Sequence, residues 1–183
     1  MRRLGSVDAA EVIAEFLRGE IESPRFRDAL LESLAEHDTD ESLIRQAQLD
    51  DEQENALRAR VLERFRGDYL GSWLHELAWF RAELEPDEVL AVRYIAWDSW
   101  LEITGGSRLP ADGAAYLRRR GEGARYGEGS PPLIVVRADP SSHLVVLEGH
   151  VRLTALAMNP EAIPRPLAVI VGEGEAVRPW DCY

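Results

Sequence analysis

A chain of 183 residues with 45% apolar side chains can bury one substantial core, or a core with an appendage, and it is not disordered by composition. Its formal charge of −12 is unevenly placed: residues 1–95 carry 12 arginines against 22 acids, and residues 96–183 carry 9 against 11. An acidic surface repels phosphate backbones, so nucleic acid is disfavoured as a partner, and a protein with a basic face suits the helical first half better.

That first half reads as successive helices. Residues 8–18 place Val12, Ile13, Phe16 and Leu17 on one stripe. Ser23-Pro24 supplies an N-cap and a first-turn proline for a helix carrying Leu30, Leu31 and Leu34. A longer, charged helix is expected from Asp40 toward Phe65, with residues 46–55 as its least apolar stretch. Residues 69–84 carry Leu70, Trp73, Leu74, Leu77, Trp79 and Phe80, which predicts another helix with a broad apolar face. Pro86 restarts a helix that runs through Tyr94, Trp97 and Trp100 to Gly105-Gly106. Four of the five tryptophans lie between residues 73 and 100, and their spacing follows the apolar stripe of a helical core. An exposed aromatic patch for a partner is the other reading of the same spacing.

After Gly106 the texture changes to mixed α/β. A short helix is expected over 111–120, a glycine-rich loop over 121–132, and a β-branched strand over 133–137. A second strand at 144–147 leads through Glu148 and Gly149 into a helix ending near Met158, and a third strand follows at 167–171. The expected class is therefore α+β: a helical region over 1–102 and a small mixed-sheet domain over 103–183.

The strand-to-helix junction is the most informative site. A strand ending at Glu148-Gly149 and a helix opening at His150 aim unpaired backbone N–H groups and the positive end of the helix dipole into one crevice. Arg152, in the first helical turn, adds a forked cation to the same spot. Other motifs fail. His75-Glu76 lacks a second histidine four positions after the first, the four histidines show no ligand spacing, and neither Gly-Glu-Gly segment has a P-loop's context. A nuclease reading is disfavoured by the acidic surface and the lack of clustered acids. Cys182 is the only cysteine, which excludes an internal disulfide and a cysteine metal knuckle. No stretch has the make-up of a signal peptide or approaches 18 consecutive apolar residues, so a cytoplasmic protein without membrane contact is expected.

The order of elements over about 103–173 resembles the ParB/sulfiredoxin-like superfamily: Arg108 in a pre-helical loop, a short helix, Gly127 to Pro132, a strand, Gly149-His150-Val151-Arg152, a helix, Ile163-Pro164 and a last strand. The resemblance implies a site for a nucleoside triphosphate, CTP or ATP, held with magnesium. By position, Gly149 lets backbone approach phosphate, His150 and Arg152 contact it, and Arg108 and Ser130 touch the nucleotide. Glu148 would hold the metal or a proton, and with His150 it would form the catalytic pair. Nucleotide hydrolysis or phosphoryl transfer are the reaction classes implied. Departures are informative too. His150 stands where sulfiredoxins place a cysteine, and Val151 replaces the second histidine of the kinase-like Asp-Gly-His-His-Arg pattern. The short stretch after the last strand leaves no expected room for the helix-turn-helix of partitioning ParB proteins. The alternative is a non-enzymatic interaction or regulatory module with a vestigial nucleotide crevice.

Overall fold

The computed structural model describes residues 1–70, 72–121, 126–127 and 129–183. The remainder of the glycine-rich loop expected over 121–132, residues 122–125 and 128, lies outside the described residues. The chain is mixed α+β and divides into two compact units, residues 7–76 and residues 1–6 with 77–183. The division falls at 76/77 and not at 102/103, and the first six residues belong with the second unit. No helix among the described residues is long and apolar enough to cross a membrane.

The unit 7–76 is helical: α1 (Ala9–Ile21), α2 (Arg27–Ala35), α3 (Ser42–Arg45), α4 (Glu52–Leu70) and a 3-10 turn at Ser72–Glu76. It holds 18 of the 33 acids against 8 arginines, so the acidity of the chain belongs to this unit. Asp8 caps α1 by accepting the Glu11 amide at 2.9 Å. Val12, Ile13, Phe16 and Leu17 are buried as their spacing requires. The expected continuous helix over 40–65 is interrupted at 46–51. Arg58 on α4 is fully buried and holds this break by donating to the carbonyls of Leu43 (3.1 Å) and Gln48 (2.8 Å). Asp51 then caps α4 by accepting the amides of Gln53 and Glu54.

The other unit contains β1 (Arg2–Ser6), β2 (Ala78–Leu84), β3 (Leu133–Arg137), β4 (Val145–Glu148) and β5 (Leu167–Glu173), with α5 (Pro86–Ala91), α6 (Asp98–Thr104), α7 (Pro110–Arg120) and α8 (His150–Met158). The sheet order is β1-β2-β5-β3-β4, with β3 and β5 parallel and every other pair antiparallel. Two expectations are corrected here. Residues 78–84, expected in a helix, form β2: Phe80, Ala82 and Leu84 alternate with Arg81 and Glu83, and β1 and β5 pair with both edges. The helix expected from Pro86 through Trp100 is two helices, α5 and α6, separated by an extended stretch. There the Arg93 amide donates to Leu144 O, and Arg93 O accepts the Val146 amide, so the sheet edge captures the backbone. β1, whose five residues are all exposed, has no apolar period by which a sequence reading finds strands.

The core of this unit joins Phe80, Ala82 and Leu84 of β2 with Leu133, Val135, Val146, Val169 and Val171 of the neighbouring strands, Leu153 and Leu156 of α8, and Tyr94. Each fully buried large apolar side chain there contributes about 1.5–3 kcal/mol. Gly172 pairs with Trp79 across β2 and β5. A Cβ at Gly172 would lie 2.6 Å from the Trp79 ring, so the absence of a side chain makes room for the indole. Trp73 and Trp79 are buried, Trp79 on a strand, whereas Trp97 is 53% exposed and Trp100 partly so.

Candidate functional site

β4 delivers Glu148 and Gly149 to the start of α8 as the sequence suggested. Gly149 is the N-cap residue, with φ 101° and ψ 24°, a conformation that side-chain-bearing residues rarely adopt. Its carbonyl accepts the Leu153 amide at 2.8 Å and opens the helical ladder. The Arg152 side chain folds back over this glycine. A Cβ at Gly149 would lie 3.1 Å from Arg152 Nη2, 3.3 Å from its Nε and 2.6 Å from Leu133 Cδ2. The guanidinium is thus packed onto backbone at the helix start, with its side chain 13% exposed.

Arg152 has internal partners there. Nη1 donates to Pro131 O at 2.8 Å, and Nη2 forms an ion pair with the Glu148 carboxylate, whose side chain is 10% exposed. Pro131 ties the loop of Ser130 to the junction. Within that loop the Ser130 amide donates to Gly127 O, and Ser130 Oγ accepts the Gly127 amide. Glu148, Gly149, Arg152 and the Ser130-Pro131 segment are therefore gathered by direct contacts or by a single peptide link.

His150 and Arg108 stand differently. The His150 ring lies against Trp100, with centroids 5.4 Å apart and planes 21° apart, and near Tyr94 at 6.3 Å and 11°. Tyr94 and Trp100 stack at 4.2 Å and 11°. The Tyr94 hydroxyl donates to Thr154 Oγ1 at 2.5 Å, and Thr154 Oγ1 donates to His150 O at 2.8 Å, which fastens the aromatic stack to the first turns of α8. Thr154 is thereby turned to its own helix and to Tyr94. Arg108, at φ 62°, donates through Nε to Tyr94 O (2.7 Å), through Nη1 to Tyr183 O (2.8 Å) and through Nη2 to Cys182 O (3.5 Å). Burial, and then the charge of Arg93, hold its pKa below the usual arginine value. Among the described residues Arg108 shares no hydrogen-bond partner with Arg152; it fastens residues 182–183 to the extended stretch that carries Tyr94.

Glu148 supplies one carboxylate to the junction. Magnesium is commonly bound by one or two carboxylates together with a substrate's phosphates. The residues thus fit an ion carried on a nucleotide and do not form a protein-only cage. Among the described residues, no three His, Cys, Asp or Glu side chains are grouped to hold a metal. Tyr94, Trp100 and the Pro131 carbonyl are members of this neighbourhood that sequence reading missed. The aromatic spacing at 94, 97 and 100 was the available signal, and a helical stripe explained it equally well.

Burial pushes the Tyr94 phenol up to about 12, against an ordinary value of 10.0. A raised folded-state pKa means that the stabilisation is complete below pH 10 and is lost as pH rises toward 12. Tyr94→Phe should cost about 1 kcal/mol at neutral pH. In thermal melts from pH 8 to 12, the gap between wild type and variant should narrow above pH 10. A gap independent of pH would show that the phenol does not titrate with folding.

No family model, no curated protein and no solved structure matches this chain.

Proposed function

We propose that the junction of β4 and α8 binds the phosphates of a nucleoside phosphate carried with magnesium, as the resemblance to ParB/sulfiredoxin-like proteins implies. The observation that supports this reading is the Arg152 guanidinium folded over Gly149 at the first turn of α8. A helix start offers amide donors and the positive end of a dipole, and a fork-shaped cation beside it pairs with two phosphate oxygens at once. Incoming phosphate competes with Glu148 for Arg152. Glu148, once released from the guanidinium, would be the residue to hold a magnesium ion carried on the nucleotide, which would supply neutralisation of phosphate charge. In a hydrolytic or phosphotransfer reaction, Arg152 and the helix amides stabilise charge on the transferred group, and Glu148 holds the metal or accepts a proton.

Calorimetry with CTP, ATP and GTP, with and without magnesium, tests the reading. Arg152→Ala should weaken triphosphate binding roughly ten- to a hundred-fold, because charge-assisted bonds are worth about 1.5–3 kcal/mol. Unchanged affinity would remove Arg152 from the site.

A second reading is a non-enzymatic interaction or regulatory module. The pairing of Arg152 with Glu148 and Pro131 favours it, since those bonds by themselves account for the geometry of a purely structural junction. The acidic unit 7–76 then takes a protein with a basic face. Absence of binding at millimolar nucleotide would favour this module over the nucleotide site.

A further inference from the structure

The two edges of the sheet end differently. Outside β4 the extended stretch at Arg93 closes the edge through the bonds to Leu144 O and the Val146 amide. Outside β1 there is no such cover. β2 is the ladder partner of β1, and among the described residues no other segment exchanges a main-chain hydrogen bond with residues 2–6. All five residues of β1 are exposed, Gly5 among them, and because glycine has no side chain its exposure is that of the backbone itself. A Cβ placed on Gly5 would meet no atom within 4 Å. Such an edge presents unpaired N–H and C=O groups to any extended chain that approaches.

The side chains of β1 select among such chains. Arg2 and Arg3 make it a basic strand in a chain of charge −12. The pair of Arg2 with Glu83 leaves the arginine side chain 71% exposed, and an ion pair that open to water gives way readily to a better-placed acid. Arg3 lies over the Phe80 ring at 3.9 Å and forms no ion pair among the described residues. Successive strand residues face opposite sides, so β1 offers one cation to each face of the sheet. Leu4 follows at the bulge between Arg3 and Gly5, 51% exposed. A second copy of the chain fits this edge poorly. It would set four arginines side by side, and strands of about 17 Å bury far less than the roughly 1,200 Å² of a stable interface.

We propose that the outer edge of β1 takes up an extended acidic segment of a partner protein as a further strand of the sheet, with acids beside Arg2 and Arg3 and an apolar residue beside Leu4. In strand addition the main-chain hydrogen bonds supply affinity and the side chains supply choice. The cations on the two faces ask for adjacent acids, one for each face, and the bulge at Leu4 marks where the regular ladder stops, so both pin the register of the added strand.

The test measures fluorescence anisotropy of two blocked peptides on the full chain, Thr-Thr-Val-Glu-Glu-Thr and its counterpart with lysines for the glutamates. At low salt the acidic peptide should bind roughly tenfold more tightly, and the preference should shrink toward about 0.5 M salt. An acidic peptide methylated at every backbone nitrogen should not bind, and hydrogen exchange should slow at residues 2–6 when the unmethylated one is added. Reversing both charges, Arg2→Glu with Arg3→Glu, should reverse the preference; the five residues of β1 are all exposed, so the core is untouched. No binding of the acidic peptide at millimolar concentration would overturn the proposal, as would equal affinity for the two peptides. Dimers in sedimentation that dissociate when peptide is added would overturn it in favour of a second copy. The wild-type comparison needs no variant, so it decides the matter even where the double variant fails to fold.

Discussion

Arg58→Met is expected to lower the stability of the helical unit 7–76 by about 3 kcal/mol, the largest effect anticipated for a single substitution there. Arg58 is fully buried, yet its guanidinium reaches Leu43 O, Gln48 O, the Glu54 carboxylate and the Asn55 side chain. Methionine keeps much of the apolar stem and removes the donors. Gln48 is exposed, so its carbonyl can turn to water, but the bond to Leu43 O is internal and its loss leaves a buried acceptor. Against a total stability of about 5–15 kcal/mol for an ordinary domain, that is a large fraction. Circular dichroism melts should show the loss, and hydrogen exchange should accelerate first at 46–51, the loop that the arginine holds. Arg58→Lys should fall between, because a single ammonium cannot span both carbonyls as the fork does. An unchanged midpoint for Arg58→Met would mean that the loop carries itself.

Gly149→Ala should cost about 3 kcal/mol, and it tests the junction directly. At φ 101° any side chain strains the backbone, and the new Cβ would also fall 2.6 Å from Leu133 Cδ2. Leu133 is 1% exposed and lies in the core of the sheet, so it has little room to yield. The same Cβ would meet the Arg152 guanidinium, which sits at the flexible end of its side chain and can move. For a chain of this size the melting temperature should fall by roughly 6–12 °C. Triphosphate affinity should fall with it, because the cation is pushed off the helix start. A stable variant that also binds nucleotide normally would contradict both the packing at Gly149 and the phosphate reading built on it.

These two positions differ in how visible they are in the sequence. Gly149 stands between a β-branched run and a helical period, where a glycine announces a turn and a helix start. Arg58 sits in a charged segment and gives no local sign of burial, because its partners are backbone carbonyls 10 and 15 residues away. The same contrast separates Arg152 from Arg108. Arg152 acts within its own helix turn, at four residues from Glu148, whereas Arg108 serves Tyr183 across 75 residues. A phosphate contact and a main-chain anchor look alike in sequence when the partner is that remote.

Local chemistry by itself determined the mixed α+β class, the strand at 133–137, a second strand placed at 144–147 and found at 145–148, the turn into α8 and the acidity of the helical region, because periodicity, glycine and charge act over a few residues. Tertiary structure alone decided that residues 78–84 pair as a strand, that the backbone at Arg93 is drawn to the sheet edge, and that the aromatic rings of Tyr94 and Trp100 meet His150. Those outcomes depend on hydrogen-bond partners supplied by distant strands and on faces that exist only once the sheet has formed. A short apolar segment that suits helix and strand about equally takes the form its neighbours can pair with.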